Sequence, residues 1–138
     1  MPQPQNAAAP RRHAEATVRV VRSEREPWDE AAEATLAEVR ITETFAGDLE
    51  GESTVRALEI SGAPTHLVSV QRFRGRLHGR RGAFVLEGRE TIEAGRVRAT
   101  WTVTPGSGTD ELQGLRGEGG FEGEFGKGSH ATLDYWFA

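Results

Sequence analysis

From His13 onward, apolar and polar residues alternate with a period of two rather than 3.6, the pattern of strands buried on one face. Ala14 to Val20 alternates small or apolar residues with polar ones and predicts a first strand. Ser23 to Ala34 (SEREPWDEAAEA) breaks the pattern; Pro27 disfavours helix at Glu26 and Asp29 can cap a short turn, so this stretch is expected to be a connector. Thr35 to Phe45 resumes the alternation, with Ala37, Val39, Ile41 and Phe45 on one face and Glu43 among them. A turn at Gly47-Asp48 leads into Leu49 to Ile60, whose inner face the pattern leaves undecided. In Thr65 to Leu77 the arginines Arg72, Arg74 and Arg76 are costly to bury, which turns Leu67, Ser69, Gln71, Phe73 and Leu77 inward. Ala83 to Ile92 follows, with Phe84, Leu86, Glu90 and Ile92 on one face. Arg96 to Val103 then faces Val97, Ala99, Trp101 and Val103 inward. Gly117 to Phe125 is glycine-dense, as a strand is where it bends sharply, and His130 to Phe137 aligns Ala131, Leu133, Tyr135 and Phe137.

About eight strands joined by short turns, with no convincing helix, predict an all-β chain folded as a single closed antiparallel β-barrel, a meander. Closure removes the exposed edges that an open sheet must protect, and eight strands leave an interior either filled by side chains or wide enough for one small ligand. Residues 1–12 (MPQPQNAAAPRR) have little to bury and are expected to form a disordered tail, with the barrel over 13–138.

Composition narrows the function. One core is feasible for 138 residues, and the net charge of −4 argues against nucleic acid or an anionic membrane as partner. The absence of cysteine removes disulfides, thiolate metal sites and cysteine nucleophiles. No run approaches the roughly 20 apolar residues of a membrane span, and the polar start lacks the apolar core of a signal peptide, so a cytoplasmic location is expected.

Gly106-Ser107-Gly108-Thr109 superficially resembles a phosphate cradle but lacks the lysine of a P-loop and reads as a structural turn. His13, His66, His78 and His130 lack the spacing of metal ligands, so no metal or other cofactor is expected. The row Arg72, Arg74, Arg76, Arg80 and Arg81 reads as a solvated outer face without interleaved aromatics. The informative set is Glu43, Gln71, Glu90, Trp101 and Tyr135, with Phe73 and Phe84 beside them, all turned inward by the alternation. A buried carboxyl must pair, stay wet or hold a proton. The structural alternative has the acids bonded to Gln71, Tyr135 or water in a filled barrel. Their convergence with aromatics is instead what a small-ligand pocket requires.

The segment Gly75 to Leu86 (GRLHGRRGAFVL), the long Trp101 to Gly119 run (WTVTPGSGTDELQGLRGEG), Gly47 to Glu52 (GDLEGE) and Thr132-Leu133-Asp134-Tyr135 together resemble a bacterial family of small proteins called domain of unknown function 3224. The resemblance implies an eight-stranded, lipocalin-like closed barrel similar to that of allene oxide cyclase, and it implies no function. Family members commonly carry a tryptophan near Ser23 and a glutamate near Gln71; this chain supplies no acid from position 71.

The expectation that follows is a barrel binding a small apolar or conjugated molecule, with capacity for cofactor-independent cyclisation or isomerisation. Glu43 or Glu90 would be general acid or base, and Tyr135 and Gln71 would donate to a carbonyl or oxyanion. Phe73, Phe84 and Trp101 would hold the apolar body. The alternative is a non-catalytic module that binds or assembles as a homodimer through its outer arginine and glutamate faces.

Overall fold

The structure, a computed structural model, describes residues 10–124 and 127–138. Among these residues eight strands follow one another: β1 (Arg12–Glu30), β2 (Thr35–Gly47), β3 (Leu49–Ile60), β4 (Thr65–Leu77), β5 (Arg80–Glu93), β6 (Arg96–Val103), β7 (Leu115–Glu124) and β8 (Ser129–Phe137). Each pairs antiparallel with the next, and β8 returns to β1 from Arg12↔Tyr135 to Val18↔Ser129, closing the barrel. The all-β closed meander expected from the alternation is therefore the fold observed. Residues 1–9, most of the expected tail, and Phe125 lie outside the described residues, while Arg12, also assigned to the tail, opens β1.

One reading is corrected. Ser23 to Glu30, expected within a connector, continues β1 opposite β2, with register shifts between Val20 and Arg22 and between Pro27 and Asp29. Beyond Val18 the strand has left β8 and, among the described residues, pairs only with β2, so Pro27 falls on a strand with an open edge, where a missing N–H is tolerated. Every residue from Arg19 to Glu30 is exposed, so no burial alternation marks this half as strand. Each register shift also reverses which positions share a face.

β3, undecided in the sequence, turns Leu49, Ser53, Val55 and Ala57 inward and leaves Leu58 and Ile60 outside. Gly51 pairs with Gly75 of β4 so closely that a Cβ on Gly51 would lie 2.8 Å from the Gly75 Cα. The two glycines let the strands cross there with no side chain between them.

The barrel closes at the end carrying the β2–β3 and β4–β5 turns. Leu49, Leu77, Leu112, Leu115 and Tyr135 are buried there, Leu112 on a 3₁₀ turn (Asp110–Leu112). The glycine-serine run before this turn is structural, as expected. Ser107 Oγ accepts the Val85 N–H and Thr109 Oγ1 accepts the Ala83 N–H, each at 3.0 Å, capping the β5 edge past the end of β6. The plug is part of the large core cluster, which continues above it through Phe45, Phe73, Phe84 and Trp101. Among the described residues, the opposite half holds a small cluster, Val39, Ala57 and Leu67 with Ile41 and Ile92.

Candidate functional site

Between the aromatic layer and the small aliphatic one, the inner wall is polar. β2 contributes Glu43, opposite Ser53 of β3; β4 contributes Ser69 and Gln71; β5 contributes Glu90, opposite Leu67. Glu43, Ser53, Ser69 and Gln71 are buried and Glu90 is partly buried. Ser53 Oγ donates to Gln71 Oε1 at 2.8 Å and lies 3.3 Å from Glu43 Oε1. A hydroxyl has one hydrogen, so with Ser53 committed to Gln71, a protonated Glu43 can donate to the Ser53 oxygen. Ser69 Oγ donates to Glu90 Oε1 at 2.6 Å, while Glu90 Oε2 is buried with no hydrogen-bond partner among the described residues.

The electrostatics agree with that protonation. Burial pushes the Glu43 carboxyl up to about 7, against the hydrogen bond that Ser53 donates when its hydroxyl turns from Gln71 to Glu43, and with the nearby Glu90 charge adding to the rise. Burial also raises Glu90, against the opposing bond from Ser69. Both groups therefore resist ionising in the range where free glutamates are already charged.

A cavity of about 520 Å³ opens above this layer. Glu43, Gln71 and Glu90 form its polar wall, and Ile41, Val55, Ala57, Leu67, Ile92, Val97 and Phe121 its apolar one. Arg19, Ser23, Glu124, Lys127 and Ser129 stand around its mouth, between the departing half of β1 and the β7–β8 connection. Its volume is within the roughly 300–1,000 Å³ of small-molecule sites. The barrel is thus half filled.

The seven residues singled out from the sequence divide by depth. Glu43, Gln71 and Glu90 line the cavity together. Phe73, Phe84 and Trp101 do not line it; they stack in the core beneath, with Phe73 and Phe84 ring centroids 5.1 Å apart. Phe121 connects the two layers, lining the cavity while packing 5.4 Å from Trp101. Tyr135 is separate: it is buried at the plugged end, its hydroxyl hydrogen-bonded to His78 Nδ1, and His78 Nε2 lies 3.5 Å from Asp48 Oδ2. Desolvation raises the Tyr135 hydroxyl, a rise that Arg12 and Arg80 partly oppose.

Sequence reasoning missed Ser53 and Phe121 as site residues. Ser53 follows once β3 is placed in register with Glu43, but its own strand gave no facing signal. Among the described residues, no three His, Asp or Glu side chains converge to hold a metal ion, and no helix is long and apolar enough to cross a membrane.

No curated protein matches the chain. A crystal structure of a protein with unknown function from the DUF3224 family of Shewanella oneidensis MR-1 is similar at 23% sequence identity and a TM-score of 0.75. The likeness covers 94% of this chain and 99% of that one, and at that identity it speaks for the fold alone. The model of the family described as protein of unknown function (DUF3224) matches residues 14–135, nearly the whole barrel, and the chain belongs to that family.

Proposed function

We propose that the barrel binds a small, largely apolar molecule, gripping its polar end with Glu43, Gln71 and Glu90. One observation carries this reading: two carboxyl groups and an amide lie in the wall of an open cavity instead of being packed over. Shielding carboxyls from water without a cationic partner costs free energy that a purely structural barrel would avoid with aliphatic residues. The same pair suits cofactor-free cyclisation or isomerisation. One carboxylate takes a proton from the ligand, the other carboxylic acid returns one to a different atom, and the ligand changes connectivity with no net gain or loss. A group titrating near 7, as Glu43 does, is populated in both forms at neutral pH.

The neutral dye N-phenyl-1-naphthylamine tests the binding reading. Its fluorescence should rise on adding the protein, saturate at one dye per chain, and fail to rise with Ala57→Phe, which fills the cavity. Circular dichroism should show that variant folded. An unchanged response with Ala57→Phe, or none with the natural chain, overturns the reading.

A second reading, association of two copies, is favoured by the outer face of β3 and β4. Leu58, Ile60, Val68 and Val70 are each between 42% and 55% exposed there. Glu38 and Glu87 border this patch together with Arg56 and Arg89, a mixed rim that a second copy can complement about a twofold axis. This block lies beyond the arginine row, so the contact would be apolar rather than the arginine-glutamate face expected from the sequence. Sedimentation velocity should give a dimer that Val68→Glu converts to monomer; a natural chain that is strictly monomeric removes this reading.

A further inference from the structure

We infer that the polar end of the ligand is a protonated amine, seated between Glu43 and Glu90, with its apolar body against Leu67, Ile92 and Phe121. The inference rests on the reading of the barrel as a binding cavity and names the chemistry that the cavity selects.

The hydrogen-bonding inventory of the wall is lopsided. Glu90 Oε2 is a buried acceptor to which no group of the described residues donates. The hydroxyl hydrogens that could have served are already directed elsewhere, Ser69 to Glu90 Oε1 and Ser53 to Gln71. Among the described residues lining the cavity, the cations are Arg19 and Lys127, both at the mouth. Arg25, on the inward-facing row of β1 opposite Val39, is engaged 2.7 Å from Glu59 of β3. The remaining inward positions of β4 and β6 that line the cavity, Leu67, Gln71 and Val97, carry no ionisable group; Glu124 of β7 stands at the mouth. The deep wall is therefore rich in acceptors and poor in positive charge.

Three ligand chemistries can be weighed against that wall. A carboxylate would place a third acid beside two that already resist ionising. A carbonyl brings only another acceptor and leaves Glu90 Oε2 without a donor. An ammonium group carries up to three donors and a positive charge. On a turn of the Glu90 side chain that brings the orphan oxygen to the cavity it donates to that oxygen, favours ionisation of both carboxyls, and forms charge-assisted hydrogen bonds in a desolvated site. The Phe121 ring in the same wall is compatible with a cation beside it.

The experiment is displacement of bound N-phenyl-1-naphthylamine by three probes that share one carbon skeleton: n-octylamine, 1-octanol and octanoate. Near neutral pH, octylamine should displace the dye at a concentration about tenfold below that of octanol, with octanoate weakest. At acidic pH the advantage of the amine should shrink as the carboxyls hold their protons. Glu90→Gln, nearly isosteric and checked by its melting temperature, should bring amine and alcohol to within about twofold. Glu43→Gln provides the same test should Glu90→Gln fail to fold. Displacement in which octanol or octanoate equals the amine, or an amine preference that survives both substitutions, overturns the amine assignment and leaves the binding reading standing. A dye that does not bind at all overturns the binding reading itself.

Discussion

Ser69 donates its only hydroxyl hydrogen to Glu90 Oε1 at 2.6 Å, leaving Oε2 of the same carboxyl buried and, among the described residues, unpartnered. The bond favours the charged form of Glu90 and opposes the desolvation that raises it. Ser69→Ala removes the opposing influence, so the Glu90 titration should move further upward. Carboxyl carbon NMR across a pH series reads that shift directly; a Glu90 that titrates at the same pH or lower in the variant contradicts the bond's role.

Glu43 sets a pH dependence of stability whose sign follows from its direction of shift. Its ordinary value is 4.5 and its folded value is about 7. Below about 4.5 the carboxyl is protonated in folded and unfolded chains alike, and its full contribution to stability is present. Between 4.5 and about 7 the unfolded chain releases the proton while the folded chain keeps it, so stability falls as pH rises. Above about 7 the loss levels off, at about 3 kcal/mol. Urea unfolding from acidic to mildly alkaline pH should show this decline in the natural chain and a shallower one in Glu43→Gln, where the residual slope belongs largely to Glu90. Equal slopes in the two proteins would count against the burial of Glu43.

Alternation proved a reliable guide to which face a residue takes and no guide to its depth along the barrel. Gln71 was legible because three arginines on the opposite face of β4 fixed the pleat, and Glu43 and Glu90 followed from their aliphatic neighbours. Period two gives no axial coordinate, so Tyr135 and Glu43, both correctly turned inward, carry nothing in the sequence that separates plug from cavity. β3 was illegible for another reason: Leu58 and Ile60 place large apolar groups on the outer face and cancel the contrast on which the pattern depends. The distal half of β1 was lost because it is exposed on both faces and shifted twice in register.

Tyr135 should behave as a residue of the plug. Its hydroxyl partner is His78, which lies beside Asp48, and none of the three lines the cavity. Tyr135→Phe keeps the ring and removes the bond, leaving His78 to find another partner. The expected cost is about 0.5–1.5 kcal/mol of stability, with affinity for N-phenyl-1-naphthylamine unchanged. Thermal unfolding and dye titration on the same sample separate the two effects; weaker dye binding without loss of stability would return Tyr135 to the site.

Gly88 shapes the polar wall from β5, where it pairs with Ser69 on one side and Trp101 on the other. A Cβ on Gly88 would lie 2.9 Å from Ser69 Oγ, 3.3 Å from the Thr100 carbonyl oxygen and 3.5 Å from Glu90 Oε1. Replacing glycine by alanine in ordinary strand backbone would by itself stabilise by about 0.4–1 kcal/mol, through the entropy of the unfolded chain. The crowded hydroxyl decides the sign: Ser69 must swing away and release Glu90, at a cost of about 1–3 kcal/mol where Glu90 is ionised. Gly88→Ala should therefore destabilise at neutral and alkaline pH, and much less at acidic pH, where protonated Glu90 needs the bond less. In a chain that already carries Ser69→Ala, the hydroxyl is absent and Gly88→Ala should cost little or become stabilising. Urea unfolding of both single variants and the double variant, at acidic and alkaline pH, measures that coupling. Strict additivity at both pH values would mean that the two residues act independently and that Gly88 is not what keeps Ser69 on Glu90.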